Sequence, residues 1–195
     1  HDIPRISVGR SEDGIKAFFA FLFTYKHMPQ LYYGDEIGMS YNDKVSKYGG
    51  YQRTGARTPM QWDNGRNRGF SDAEAGDLYL PVNDVKEQSV ATQEKDDNSL
   101  LNTVKRLLSI RKEYSCLNYS SEIKIIECDD GYPLIYEREN EECAVRVYVS
   151  PSAEKIKRPL VGKIVYAVNA EGENGELLLN GSAFAITKLE KAKRA

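Results

Sequence analysis

Apolar positions change their period along this chain. Between Gly14 and Tyr25 they fall on most sides of a helix (Ile15, Phe18, Phe19, Leu22, Phe23 and Tyr25). Such a helix is expected to be buried on more than one side. Ser11, Glu12 and Asp13 supply its cap and first-turn acids, Lys26 and His27 suit its C-terminal dipole, and Pro29 stops it. Gln30 to Tyr33 reads as a short buried strand that ends at Gly34. Pro29 to Phe70 then contains a long irregular segment rich in Gly, Asn, Arg and Tyr. Its aromatics can pack, so it reads as one wall of a binding site. Leu78 to Val82 looks extended. Asn98 to Tyr114 gives the clearest helix, with Leu100, Leu101, Val104, Leu107 and Leu108 at helical spacing.

From Leu117 onward the period shortens to that of strands. The runs are Glu122–Cys128, Leu134–Arg138, Ala144–Val149, Gly162–Val168, Glu176–Leu179 and Ala183–Lys188. Turn signals separate them, and Asn180-Gly181 carries the spacing of a two-residue hairpin. This predicts an antiparallel sheet or sandwich after a boundary near Tyr114–Tyr119.

The first part has the loop-helix-strand-loop beat of an α/β fold, in which the loops after the strands carry the ligand site. It does not close by itself. A lone internal strand has no partners for its backbone groups, so the chain is expected to be a C-terminal piece of a longer polypeptide.

Composition narrows the function classes. The net charge is −2 and the pI near 5.8, which disfavours nucleic-acid or anionic-membrane partners held by bulk charge. Cys116, Cys128 and Cys143 show no CxxC spacing, and the two histidines are far apart. Neither a zinc site nor a disulfide framework is expected, and the cysteines read as small apolar core residues. The apolar run Ala17–Tyr25 is too short to span a bilayer. The cytoplasm is the favoured compartment, with a signal peptide upstream of His1 left open. Asp35 and Glu36 are adjacent, so on extended backbone they point to opposite faces and do not converge on one bond. Glu36 reads instead as a structural anchor for the loop.

Three motifs in order, HDIPR, YYGDEIGM and ARTPMQWDNGRNRGF, resemble the α-amylase superfamily of glycoside hydrolases, in particular its α-glucosidase, oligo-1,6-glucosidase and trehalose-synthase-like members. The run YLPVND, then DNSLLNTVKRLLSIRK, is similar to the final barrel helix of those enzymes. The resemblance covers His1 to Tyr114 by motif and the rest by architecture. It implies an α+β fragment: the C-terminal remnant of a (β/α)8 barrel over residues 1–114, then an antiparallel β domain over 115–195.

That resemblance also implies the chemistry. Family members are retaining glycosidases acting on α-glucosidic bonds of oligosaccharides, with an Asp nucleophile and a Glu acid–base. Neither is expected in this chain, so the chain alone is expected to be inactive. Asp2 matches the third acid, which stabilises the oxocarbenium-like transition state. His1 matches its neighbouring sugar-binding His, and Arg5 the motif's basic residue. Arg57, Gln61 and Trp62 are candidates for the outer sugar subsites, although Trp62 serves equally well to pack the loop down. No cofactor is expected, and any calcium of the parent enzyme would lie upstream. A transglycosylase of the same family, a stand-alone carbohydrate-binding β module and a purely structural β domain remain as alternatives. Exposed Phe18, Phe19, Leu22 and Phe23 on helix 14–25 make self-association an expectation.

Overall fold

The computed structural model describes residues 1–43, 53–83, 85–128 and 131–191. The chain forms two compact units. One holds His1–Ile15 and Gln30–Lys105; the other holds Lys16–Pro29 and Arg106–Ala195.

The first unit is built from short helices and turns. Helix α1 (Glu12–Thr24) begins in it, where Ser11 Oγ accepts the N–H of Gly14 at 3.1 Å. Helices α2 (Arg53–Ala56) and α3 (Val90–Gln93) are single turns, and α4 (Leu100–Glu113) starts from the Ser99 hydroxyl, which accepts the Asn102 N–H at 3.2 Å. Leu100, Leu101, Val104, Leu107 and Ile110 form its buried stripe, and Leu108 is only half-buried.

Every strand among the described residues lies between Glu122 and Lys188. Gln30–Tyr33, expected to be a short strand, and Leu78–Val82, expected to be extended, therefore join no ladder. A strand needs a neighbour for its N–H and C=O groups, and the described residues of this unit offer none. A small core of Ile37, Met39, Met60 and Leu101 forms instead, with Val90 against it. Polar side chains tie the irregular backbone around that core. Gln93 Nε2 donates to the carbonyls of Ile37 (2.9 Å) and Glu87 (3.0 Å), while its Oε1 accepts the Leu101 N–H at 3.0 Å. Asn83 Nδ2 donates to the Ser40 carbonyl at 2.7 Å.

The second unit carries six antiparallel strands in one sheet: β1 (Glu122–Glu127), β2 (Leu134–Glu139), β3 (Ala144–Ser150), β4 (Lys155–Pro159), β5 (Lys163–Glu173) and β6 (Glu176–Lys188). The long β6 organises it. Its C-terminal half pairs with β3 and its N-terminal half with β4, while β5 runs along its other edge. Ile135, Tyr148, Leu177, Leu179, Ala183 and Ala185 form a buried cluster there.

One expectation fails at β6. Asn180-Gly181 is no hairpin turn: both residues lie inside one continuous strand, with Gly181 at φ 75°. The hairpin turns at Asn174 (φ 51°) and Gly175 (φ 79°), flanked by the Glu173–Glu176 pair. Both Asn-Gly pairs fit such a turn locally; pairing on both edges of β6 decides between them. The strand β4, KIKRP, was not legible because Ile156 is its sole large apolar residue.

The C-terminal part of α1 belongs to this unit. Arg111 donates to the Phe23 carbonyl at 2.6 Å and the His27 carbonyl at 3.2 Å, satisfying the helix end. Arg138, fully buried, donates to the carbonyls of Thr24 (2.7 Å), Glu122 (3.1 Å) and Asn118. The expected exposed face of helix 14–25 is largely covered. Phe19 and Phe23 are buried and stack at 5.7 Å, Leu22 is half-buried, and Phe18 remains exposed. No helix among the described residues is long and apolar enough to cross a membrane.

Candidate functional site

The site lies within the first unit and is built around the YYGDEIGM turn. Gly34 (φ 83°) and Gly38 (φ 67°) bracket a 3-10 turn at Asp35–Ile37. A Cβ on Gly34 would sit 2.3 Å from Met39 Sδ and 3.1 Å from Arg5 Nη1. Only glycine combines that backbone conformation with that approach.

The approach lets Arg5 in. Arg5 is 3% exposed. It donates to the Tyr33 carbonyl at 2.8 Å and pairs with Asp35 Oδ1 at 3.0 Å. It also lies 5.2 Å from the centroids of both the Tyr32 and Tyr33 rings. Arg5 was expected among the substrate contacts; burial removes it from the open surface, and it holds the Asp35 carboxylate instead. Burial nevertheless pushes the Asp35 carboxyl above its ordinary value, outweighing the pull of Arg5. Burial also pushes Glu36 up, against the backbone N–H groups of Glu36 and Gly34. Glu36 is half-buried, and its Oε2 has no hydrogen-bond partner among the described residues.

Asp2 and His1 meet Arg57. Arg57 Nη2 donates to Asp2 Oδ1 at 2.6 Å, and its Nε donates to the His1 carbonyl at 3.1 Å. His1 Nε2 lies 3.3 Å from Asp2 Oδ2, an ion pair when the imidazole is protonated. The Asp2 side chain is 62% exposed, so it is free to face a ligand. Arg57 is placed by α2: its N–H donates to the Thr54 carbonyl at 3.0 Å. Gly55 in that turn also lets the Asn42 carbonyl approach to 2.2 Å of where a Cβ would stand.

Arg57 also lines a cleft of about 380 Å³ with Tyr33, Glu36, Met60, Trp62 and Tyr79. Trp62 is 51% exposed although its backbone is fixed, its N–H donating to the Arg68 carbonyl at 2.8 Å and its carbonyl accepting the Ala91 N–H at 2.9 Å. The backbone packs the loop while the indole faces solvent. Phe70 and Tyr79 are exposed cleft residues too. Phe70 ends the stretch read from the sequence as a site wall; Tyr79, inside the apolar run Leu78–Val82, carried no signal that assigned it to the site. Gln61, expected at an outer subsite, is fully buried. In the amide orientation that suits its surroundings it donates to the carbonyls of Asn83 and Val85. Tyr48 and Tyr51 lie outside the described residues. Among the described residues no group of three or more His, Cys, Asp or Glu could hold a metal ion.

Residues 1–120 match the family model for the α-amylase catalytic domain. The chain belongs to the α-amylase family. It is 32% identical over 174 residues to an oligo-1,6-glucosidase of Parageobacillus thermoglucosidasius, covering 71% of this chain and 30% of the relative. It is 41% identical over 105 residues to the trehalose synthase/amylase TreS of Mycobacterium tuberculosis, covering 51% of this chain and 17% of the relative. The trehalulose synthase MutB of Pseudomonas mesoacidophila MX-45 shares its fold at a TM-score of 0.85 and 21% identity, over 97% of this chain and 42% of that one. An isomaltulose synthase mutant of Erwinia rhapontici NX5, solved with D-glucose, does so at 0.82 and 22% identity, over 98% and 42%. This α-amylase-family chain therefore has the fold of the C-terminal two-fifths or so of such enzymes.

Proposed function

We propose that this chain supplies the transition-state-stabilising part of a retaining glycoside hydrolase or transglycosylase acting on α-glucosidic bonds of oligosaccharides. The observation that carries the reading is Arg57, which pairs with exposed Asp2 at 2.6 Å while lining the aromatic cleft. Glycosidic cleavage with retention passes through an oxocarbenium-like state. A fixed carboxylate stabilises that positive charge more than it stabilises the neutral sugar. Arg57 holds Asp2 in one orientation, His1 donates to the sugar ring, and the exposed indole of Trp62 offers a flat apolar face to a second pyranose. Family membership supports the same reading, and so do the names of relatives, which include hydrolases and synthases.

The nucleophile and general acid come from outside these 195 residues. Alone, the chain does not turn over maltose, isomaltose or a chromogenic α-glucoside; turnover by the pure chain would overturn the proposal. Co-expression with an upstream barrel segment bearing those two carboxylates restores turnover, and Asp2→Asn abolishes it.

A further inference from the structure

Two of the three cysteines, none of which belongs to the site above, meet in the second unit. Cys116 lies fully buried in the 3-10 turn Ser115–Leu117 that follows α4. Cys143 immediately precedes β3 and is half-buried. The Cys116 N–H donates to Cys143 Sγ at 3.2 Å, and Ser115 Oγ lies 3.7 Å from the same sulfur.

Polar staples hold this contact in register. Asn140 Oδ1 accepts the N–H groups of Glu142 (3.0 Å) and Cys143 (2.9 Å), closing a tight turn. Asn140 Nδ2 donates to Ser115 Oγ at 2.9 Å, and that hydroxyl donates to Glu142 Oε2 at 2.6 Å. The turn before β3 is thus fastened to the residue beside Cys116, which keeps the Cys143 sulfur against the Cys116 backbone.

We propose that Cys116 and Cys143 form a dithiol modification site that reacts with a small disulfide, of the glutathione type, and closes to an internal disulfide. Exposure sets the order of events. Cys143 is the more exposed of the two, so its sulfur attacks the small disulfide, forming a mixed disulfide and releasing one small thiol, which takes the Cys143 proton. Cys116 has no surface of its own to meet the reagent. Its sulfur attacks the Cys143 sulfur, forming the internal bond and expelling the second small thiol with the Cys116 proton. One small disulfide is reduced to two thiols while two protein thiols are oxidised to one disulfide. Burial, and then contact with Cys143, pushes the Cys116 thiol above the ordinary range, so the buried sulfur does not initiate. The new bond joins positions 27 apart in sequence, spanning β1 and β2, and restricts the unfolded chain accordingly.

The test uses the full chain in its native state. It is incubated with oxidised glutathione, quenched with acid, denatured, alkylated at free thiols and mapped by mass spectrometry. Cys116 and Cys143 are expected in one cross-linked peptide pair, while exposed Cys128 carries a glutathione adduct. In Cys116→Ser, Cys143 keeps its adduct. In Cys143→Ser, native Cys116 remains a free thiol, which supplies an independent reading should Cys116→Ser fail to fold. The oxidised chain unfolds at a higher urea concentration than the reduced one, and reduction reverses the shift. An adduct persisting on wild-type Cys143, two unreacted thiols, or pairing of either cysteine with Cys128 would overturn the proposal.

Discussion

The two units of this chain solve the same backbone problem with different groups. In the second, six strands satisfy one another across antiparallel ladders, and buried side chains such as Phe184 and Leu177 are left free to pack. In the first, the described backbone has no ladder, so side chains do that work: Gln93 alone serves three backbone groups. A ladder spreads stability over many residues. A staple concentrates it in one amide and leaves the surrounding segment open enough to form a cleft. The site sits in the stapled unit, as expected where function needs irregular backbone.

This contrast can be broken by mutation. The largest effect is expected for Phe184→Ala, which removes a fully buried ring packed edge-on to Tyr166 at 5.4 Å. It should cost about 3–5 kcal/mol in urea unfolding of the sheet unit. Arg138→Met strands the carbonyls that the guanidinium serves and should cost about 3 kcal/mol; a neutral outcome would show those carbonyls find other donors. Gln93→Ala should cost about 2 kcal/mol. Its effect should be local, appearing as faster hydrogen exchange at Gly38, Met39 and Leu101 with the sheet amides unchanged. Exchange rising equally in both units would end the contrast.

Smaller effects sharpen it. Arg57→Ala breaks an exposed pair, so unfolding should move by less than about 0.5 kcal/mol, while turnover of the reassembled enzyme falls. Glu36→Gln should stabilise by only a few tenths of a kcal/mol, because solvent screens this half-buried group. The sign follows from linkage. Burial raises the folded carboxyl above its ordinary value. The folded chain then holds more protons than the unfolded one, and stability falls as pH rises through that window. Gln removes this fall, so the gain appears at neutral pH and vanishes below about pH 4; a gain persisting in acid would sink the account.

Much of the fold was legible because local signals agreed with it. Both long helices carry caps and stripes that tertiary context had no reason to override, and most strands alternate against turn residues. Asp2 and Arg57 were singled out by motif type and order, and the structure brings them together at 2.6 Å. Three features were not legible. Gln30–Tyr33 has the composition of a strand, yet strand character depends on a neighbour. Asn180-Gly181 and Asn174-Gly175 carry the same local turn chemistry, and pairing on both edges of β6 chose between them. Arg5 and Gln61 have the residue types of ligand contacts, yet burial assigns them to backbone and carboxylate partners inside the unit.

The amino-acid order by itself determined the helices, the sheet-forming runs and the family, because each rests on spacing within a few residues or on short contiguous motifs. Tertiary structure alone decided which polar groups face outward, which asparagine turns the hairpin and which cysteines meet. Those depend on distances between positions 27 to 55 apart in sequence, such as Cys116 with Cys143 and Asp2 with Arg57, and no local periodicity encodes such distances.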